Sequence, residues 1–598
     1  MNERSLSVVE IGALRPPGDD YDVVILGGGL AGLTVAVQIK QRRPETSVLV
    51  LEKREGPAPL AAFKVGESTV PAGASYFANV IGMADHLRGE QNIKCGLRFF
   101  PPAAGNTDIT KRVELGPAVY PPFETFQVDR GLFENKLAAR ARECGVEVTG
   151  GARVQEIELG DRHTIAFDLF GERSSTTARW VVDAAGRASL IKRKLGLAAD
   201  SGHHINSAWF RLAGGLDLEQ WGASDSEWMG FMSKPGIRQF STNHLMGEGY
   251  WVWLIPLATG PISIGVCADP RVHPFEEISS FDAMLSWLRE HEPQLAASVE
   301  GRLDDVEDFL RVEDFSYDVT QMCSNDRWTL VGEAAAFADP FFSPGSDFIC
   351  LSNTLTTELL VRELDGEDVA ERVESYNGLY KRTFESVVCR YRDMYPVFGD
   401  AWVLPAALTW TFLTSHGGPA FVMIREKVAD IEFMKTASHL LERLAELNTS
   451  AQKLFREWHE LNVGESPVLH PPLIKPSIDA MIGLVKPLPD DDALRGELQL
   501  QIRNQEAFLI AVFAKALEAV PDVPAIDGPV NPLAVGLDPS KWEADGLLDG
   551  SGLTIEDARG LCPGIDAFWD PTAPAPRLGP PPGVGGAPVA GGPPPAAG

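Results

Sequence analysis

The feature that most restricts the fold is a glycine triplet between two apolar strands. Residues 21–53, YDVVILGGGLAGLTVAVQIKQRRPETSVLVLEK, read as strand, glycine turn, helix and strand, with Gly27, Gly29 and Gly32 in GxGxxG spacing. Gly27 permits the tight turn, Gly29 lets the backbone approach a pyrophosphate, and Gly32 lets helix and strand pack closely. The helix start at Leu30 and Ala31 presents N–H groups and a positive dipole end to phosphates. Glu52, followed by Lys53, ends the second strand about 20 residues beyond the triplet, where a carboxylate can accept hydrogen bonds from an adenosine ribose. Such a segment implies a parallel α/β sheet that holds a dinucleotide.

Composition excludes several classes. The 598-residue chain is too long for one simple core, and its 44% hydrophobic and 23% charged content is that of a soluble globular protein. A formal net charge of −30 opposes binding to nucleic acid and adhesion to anionic membranes. Seven cysteines without a CxxC pair fit neither a disulfide framework nor a zinc site, and no metal is expected. The opening residues, MNERSLSVVEIGALRPPGDD, lack the apolar run of a secretory signal, so a cytoplasmic location is expected. The longest uncharged stretch, 401–424, is broken by Pro405 and by Gly417-Gly418-Pro419, and reads as buried helices instead of a membrane span.

Two later segments choose between FAD and NAD. DRGLFENKLAARA places Arg130 at the head of a helix, and WTLVGEAAAFADP places a strand, a small-residue turn and an acid far downstream. The second resembles the late GD motif of flavoproteins with the p-hydroxybenzoate hydroxylase fold. That resemblance implies FAD, reached at its ribityl chain by Gly332 and Glu333, with glutamate one methylene longer than the usual aspartate. Asp339 is the nearby aspartate, before Pro340. No nicotinamide-binding segment is evident after the glycine motif.

The hexamer WVWLIP (251–256) would place Trp251, Trp253 and Ile255 on one strand face and Val252 and Leu254 on the other. By themselves these residues fit either a core face or a functional wall. With FKVGESTVP (63–71), which holds Gly66, Glu67 and Ser68, and with IGVCADPRVHP, ADPFFSPG and VVCRYRDMYPVFGDAW, the hexamer resembles the flavin-dependent halogenases over residues 20–415, on the side of the phenol and pyrrole enzymes. The resemblance implies that reduced FAD from a separate flavin reductase, oxygen and halide generate hypohalous acid. The acid would pass through a tunnel to a lysine beside a small electron-rich phenolic or pyrrolic substrate, free or tethered to a carrier protein. Trp251 and Trp253 would then wall the substrate off from the flavin.

Lys94 in NIKCGLRFF matches the family's KxGxxF pattern and is the expected relay. Lys64, beside the flavin loop, is its competitor. Read as a strand, Ile93, Cys95, Leu97 and Phe99 share one face, and Lys94 shares the other with Arg98. That second face is either solvated or enclosed, and enclosure would lower the lysine's pKa. Pro344 and Gly345 match the two positions whose backbone N–H groups hold halide in the family. Proline has no N–H, so one of two donors is missing. Phe342 stands where tryptophan halogenases carry a glutamate, which argues against free tryptophan as substrate. The missing donor keeps an alternative open: an FAD monooxygenase that hydroxylates or epoxidises without halide. His203 and His204 are expected at the surface or a strand edge, and Asp183 in a turn beside FAD.

The expected fold class is α/β, a p-hydroxybenzoate hydroxylase-like FAD-binding fold with an inserted β-sheet substrate domain and a helical C-terminal region. Residues 1–20 form a lead-in. The FAD-binding domain spans 21–365, in segments of about 21–95, 125–200 and 320–365, and the inserted sheet takes about 96–124 and 201–319. Residues 366–570 are mainly helical. Residues 571–598, rich in proline and glycine, cannot bury a core and are expected to be disordered.

Overall fold

The computed structural model describes residues 17–60, 66–462 and 473–570. Lys64, most of the lead-in and the 571–598 tail lie outside the described residues. The chain has the expected α/β class. Strand Asp20–Leu26 sits in an eight-stranded sheet between Glu172–Asp183 and Val48–Glu52, parallel to both. Trp328–Leu330 extends one side and Glu147–Gly150 the other, again in parallel. The two central strands carry short runs of Val, Ile and Leu, VVIL and VLVL, because both sheet faces are covered there. Leu26 pairs with Leu51 and Asp183, and Leu330 pairs with Asp183, so strands far apart in sequence end along one line. The carboxyl ends of parallel strands are where such folds bind ligands.

A second sheet of six strands runs Leu310–Val312, Asn206–Leu212, Ile262–Ala268, Tyr250–Pro256, Thr242–Gly247, Leu97–Phe100. Its two faces divide as the alternation of WVWLIP requires. Trp251, Trp253 and Ile255 join the core shared with the first sheet. Tyr250, Val252 and Leu254 pack in a separate core with Met284, Leu285 and Leu288 of helix Phe281–His291. Gly265 lies opposite Trp253 in the ladder, and a Cβ there would fall 2.1 Å from the indole. A glycine at this register makes room for the ring.

Residues 92–100 correct a sequence expectation. Asn92–Ile93 and Leu97–Phe100 are separate strands, and Gly96 turns between them at φ +64°. The even alternation that put Lys94 and Arg98 on one face does not hold across that turn. Arg98 is instead fully buried and pairs with Glu114, which Arg238 also grips at 2.9 Å.

Helix Gly345–Leu364 ties the late segment to the first. Asn353 Nδ2 donates to Ala31 O at 3.2 Å, Thr34 Oγ1 at 2.9 Å and Tyr76 Oη at 3.0 Å. From residue 370 on, the chain is helical, with Ala370–Val388, Leu404–His416, Ile431–Leu461 and Asp491–Ala516 among its longer helices. Among the described residues no helix is long and apolar enough to cross a membrane.

Gly265→Ala should therefore strain the sheet. Overpacking of this kind costs about 1–3 kcal/mol. Thermal unfolding should shift down by several degrees, and Trp fluorescence should change as the Trp253 ring moves. An unchanged melting temperature would mean the ring has room that the glycine does not provide.

Candidate active site

The glycine turn has the form its spacing requires. Gly27 adopts φ +111°, and a Cβ on Gly32 would lie 2.0 Å from the Gly27 carbonyl oxygen. Gly29 is the N-cap of helix Leu30–Arg42 and no side chain caps its first turn, which leaves those amides to a phosphate. Glu52 lies beside the turn: its Oε2 accepts from Gly28 N at 2.8 Å and its Oε1 from Arg54 N at 2.9 Å. Lys53 is exposed. Gly332, at φ +55°, lies against the start of the same helix, where a Cβ would meet the Ala31 methyl at 2.9 Å. The early and late motifs thus converge on one helix N-terminus.

From there a cleft runs along the Trp face of the second sheet. It is lined by Leu30, Gly66, Glu67, Ser68, Arg130, Trp251, Trp253, Gly332, Glu333, Asp339, Pro344 and Gly345. Nine of these twelve belong to segments outside the glycine motif and the tryptophan strand, so the cleft is made by long-range assembly. An uncapped helix start, small residues at the close approaches and a guanidinium at Arg130 suit FAD.

Two cleft residues do not point their charge at a ligand. Glu67 is buried, and its Oε1 accepts from Arg211 Nη2 at 2.6 Å. Asp339 is buried and accepts from Phe341 N at 2.8 Å and Tyr395 Oη at 2.7 Å, with His203 Nε2 at 2.7 Å. Tyr395 Oη in turn accepts from Trp251 Nε1 at 2.9 Å. Both acids border the cleft as expected, but their carboxylates hold the scaffold. His203 is accordingly buried and not at the surface, since it completes this network. His204 is exposed beside Asp314. Asp183 is the last residue of strand Glu172–Asp183 and not part of the turn, but its carboxylate organises the turn that follows by accepting from Ala185 N and Ile191 N.

A second cavity of about 380 Å³ lies on the other side of residues 342–348. Phe342 and Asp347 line this cavity, Ser343, Gly345 and Ser346 line the flavin cleft, and Pro344 and Phe348 line both. The turn leading into helix Gly345–Leu364 is therefore the partition. It is backbone-strained: Phe342 and Ser343 both have positive φ, at +63° and +55°. Trp251 and Trp253 line the cleft and not the second cavity; Phe341, 5.0 Å from Trp251, continues the aromatic layer toward the partition.

Lys94 stands at this boundary. It lines the second cavity, is 1% exposed, and its Nζ donates to Ser68 Oγ at 2.8 Å and Thr69 O at 2.5 Å, both residues of the cleft. Burial pushes its pKa down to about 7. Asp347, which accepts from Gly73 N at 2.8 Å, lines the same cavity, and burial pushes its carboxyl up to about 7. The sequence reading missed Asp347 and, on the far wall, Arg390 and His416. Asp347 follows the ADPFFSPG motif by two residues, and Arg390 lies inside VVCRYRD, yet nothing in their spacing signals a cavity. A polar groove of about 660 Å³ beside Arg42 and Glu358 shares only Met423 with this cavity. Among the described residues no cluster of His, Cys, Asp and Glu could hold a metal ion.

Comparisons with known proteins agree on one family. Residues 119–393 match the model described as Tryptophan halogenase, and residues 25–88 match an NAD(P)-binding Rossmann-like domain. A Flavin-dependent halogenase chlA of Dictyostelium discoideum is 27% identical over 395 residues, 60% of this chain and 64% of that protein. The match thus spans somewhat less than two thirds of that relative's length. A 1H-pyrrole-2-carbonyl-(peptidyl-carrier protein) chlorinase of Pseudomonas fluorescens is 26% identical over 400 residues, 62% of this chain and 84% of that one. A crystal structure of halogenase PltM superposes with TM-score 0.56 at 19% identity, covering 82% of this chain and 96% of that one, which supports the fold.

Two outcomes follow from this geometry. Gly29→Val puts a branched side chain at the phosphate approach, so the purified protein should stay soluble and lose its yellow cofactor. Wild-type FAD occupancy would overturn that assignment. The second outcome concerns pH. Between pH 3.8 and about 7 the folded Asp347 keeps a proton that the unfolded chain releases, so its contribution to stability falls as pH rises. Between about 7 and 10.5 the unfolded Lys94 keeps a proton that the folded chain has released, so stability recovers as pH rises. The pair's contribution is therefore least near neutrality. Lys94→Met combined with Asp347→Leu should flatten the pH profile of denaturant stability; a profile of unchanged shape would refute the pairing.

Proposed function

We propose that this chain is a flavin-dependent halogenase, as its similarity to that family supports, and that it halogenates an electron-rich aromatic substrate in the second cavity, with Lys94 relaying the halogen. The observation that carries this reading is the position of Lys94: enclosed, at the junction of the two chambers, and close to neutral. When bound, reduced FAD supplies the electrons with which oxygen is activated to oxidise halide.

The chain's own residues do the rest. The partition of Phe342, Pro344 and Phe348 keeps the aromatic substrate out of the flavin cleft, and the Trp251–Trp253–Phe341 layer keeps the cleft apolar. The first turn of helix Gly345–Leu364 faces the cleft, and its dipole favours an anion there. Pro344 is its N-cap, so one N–H donor is absent and Gly345 is the first amide available. Hypohalous acid reaching Lys94 meets an amine whose neutral form is accessible at neutral pH, and can leave its halogen on nitrogen for transfer to a ring carbon. Water leaves as the N–halogen bond forms. In the transfer the N–halogen bond breaks as the C–halogen bond forms; the nitrogen takes back a proton and the ring proton leaves, an exchange that Asp347, near half-protonated at neutrality and on the same cavity wall, can serve. Reduced flavin would come from a separate reductase. Phenolic and pyrrolic rings suit the chemistry, and one relative's name specifies a carrier-bound pyrrole.

The decisive experiment is mass spectrometry of products from reductase-supplied turnover with chloride, bromide or neither. Halogen in the product supports the proposal. Oxygen in the product without halide dependence would instead support the monooxygenase reading that Pro344 favours. Lys94→Ala should abolish halogen transfer while flavin reoxidation and oxygen consumption continue; normal halogenation by this variant would remove Lys94 from the relay. Pro344→Ser restores a donor. A hydrogen bond to a charged group contributes about 1.5–3 kcal/mol, so the half-saturating halide concentration should fall by about 10- to 150-fold.

A further inference from the structure

The described residues include six buried arginines: Arg98, Arg112, Arg130, Arg211, Arg238 and Arg390. Five of them pair with carboxylates, Arg98 and Arg238 with Glu114, Arg112 with Glu292, Arg130 with Glu134, and Arg211 with Glu67. That is the ordinary solution, because an ionised group taken out of water needs a partner. Arg390 is the exception. It is 8% exposed, its Nε has no hydrogen-bond partner, and among the described residues no carboxylate lies within ion-pair distance of it. Its guanidinium keeps its charge even when burial lowers its pKa.

Arg390 lines the second cavity, with Lys94 and Asp347 elsewhere on the wall and Phe123, Phe342, Phe348 and Phe412 between. The remaining polar groups supply no net compensation. Lys94 and Asp347, both brought to about 7 by burial, are each about half-charged at neutrality and sum there to about zero, although Asp347 feels Arg390 from beyond ion-pair distance. Glu114, the other acid on the wall, is held by Arg98 and Arg238. His416 stays neutral, since burial holds its pKa down to about 4. The chamber thus has aromatic walls and one unmatched positive charge. A guanidinium presents two parallel N–H donors, which match a carboxylate in bidentate fashion.

Resting on the reading of this chamber as the substrate site, we propose that it is built for an aromatic substrate with a free carboxylate, anchored by Arg390 so that the ring is presented to Lys94. This selects a free acid over an acyl group carried as a thioester, because thioester formation removes the anion.

The test is binding to the FAD-loaded, oxidised protein, with no reductant or halide. The probes are 4-hydroxybenzoate and pyrrole-2-carboxylate, each with its amide and its N-acetylcysteamine thioester, followed by calorimetry. Losing a bidentate charged contact should weaken binding by at least about 30-fold, so the acids should bind that much more tightly than amides or thioesters. The preference should vanish in Arg390→Met and survive in part in Arg390→Lys. Without ligand, Arg390→Met should melt no lower than the parent, since the charge it removes has no partner, and only the parent should gain thermal stability from the acids. Equal affinity for acid and amide, no binding of either acid, or a preference that persists in Arg390→Met would overturn the proposal. So would bromide that binds through Arg390 and displaces the acids one for one, which would make this a halide site. Turnover separates the two readings: halogenation of neutral phenols by an Arg390-indifferent enzyme sinks this proposal alone, whereas Arg390-dependent acid binding without halogen in any product sinks the halogenase reading alone.

Discussion

A buried polar knot joins the two ends of the dinucleotide fold. The Asn353 amide reaches a backbone carbonyl and two hydroxyls of the first 76 residues, and so locks helix Gly345–Leu364 against helix Leu30–Arg42. Buried donors of this kind are costly when unmatched, which makes the register between the helices specific. Everything chemical in the chain depends on that register. It brings Gly332 to the first helix start, and it sets the turn at 342–348 between the flavin cleft and the second cavity.

That turn separates the flavin cleft from the aromatic-lined second cavity. Phe342 and Asp347 face one chamber, Ser343, Gly345 and Ser346 the other, and Pro344 and Phe348 border both. The left-handed Phe342 and Ser343 lie between Pro340, whose carbonyl accepts from Ser343 N at 2.9 Å, and Pro344, whose carbonyl accepts from Phe348 N of the helix that follows at 3.0 Å. The proline that removes a donor from the cleft also fixes the entry to the helix. Stiffness of the partition and strength of the anion site are therefore in opposition at a single position.

The charges follow a similar division. Around the sheets, buried arginines and acids are matched and serve the scaffold; Glu67 and Asp339 belong to this class although they border the cleft. In the second cavity Lys94 and Asp347 are left near neutrality and Arg390 without an ion-pair partner, and such groups mark sites where chemistry or binding takes place. The similarity to halogenases is consistent with that pattern, and the matched segment, 119–393, contains the Trp strand, the partition and Arg390.

The sequence alone determined what depends on local periodicity and on residue type. The GxGxxG turn, the parallel strands, the helix at Arg130, the two faces of WVWLIP and the long C-terminal helices follow from spacing, because side-chain direction repeats every two residues in a strand and every 3.6 in a helix. Lys94 was legible as a candidate through its motif. Its burial was not, because Gly96 breaks the alternation and the hydroxyl and carbonyl that hold its Nζ come from residues 68 and 69. The tertiary structure also decided that Glu67 and Asp339 serve the scaffold, that His203 is buried, and that Asp347 and Arg390 share a cavity with Lys94. Each depends on which remote segment supplies the partner, and no local pattern encodes a partner more than a hundred residues away.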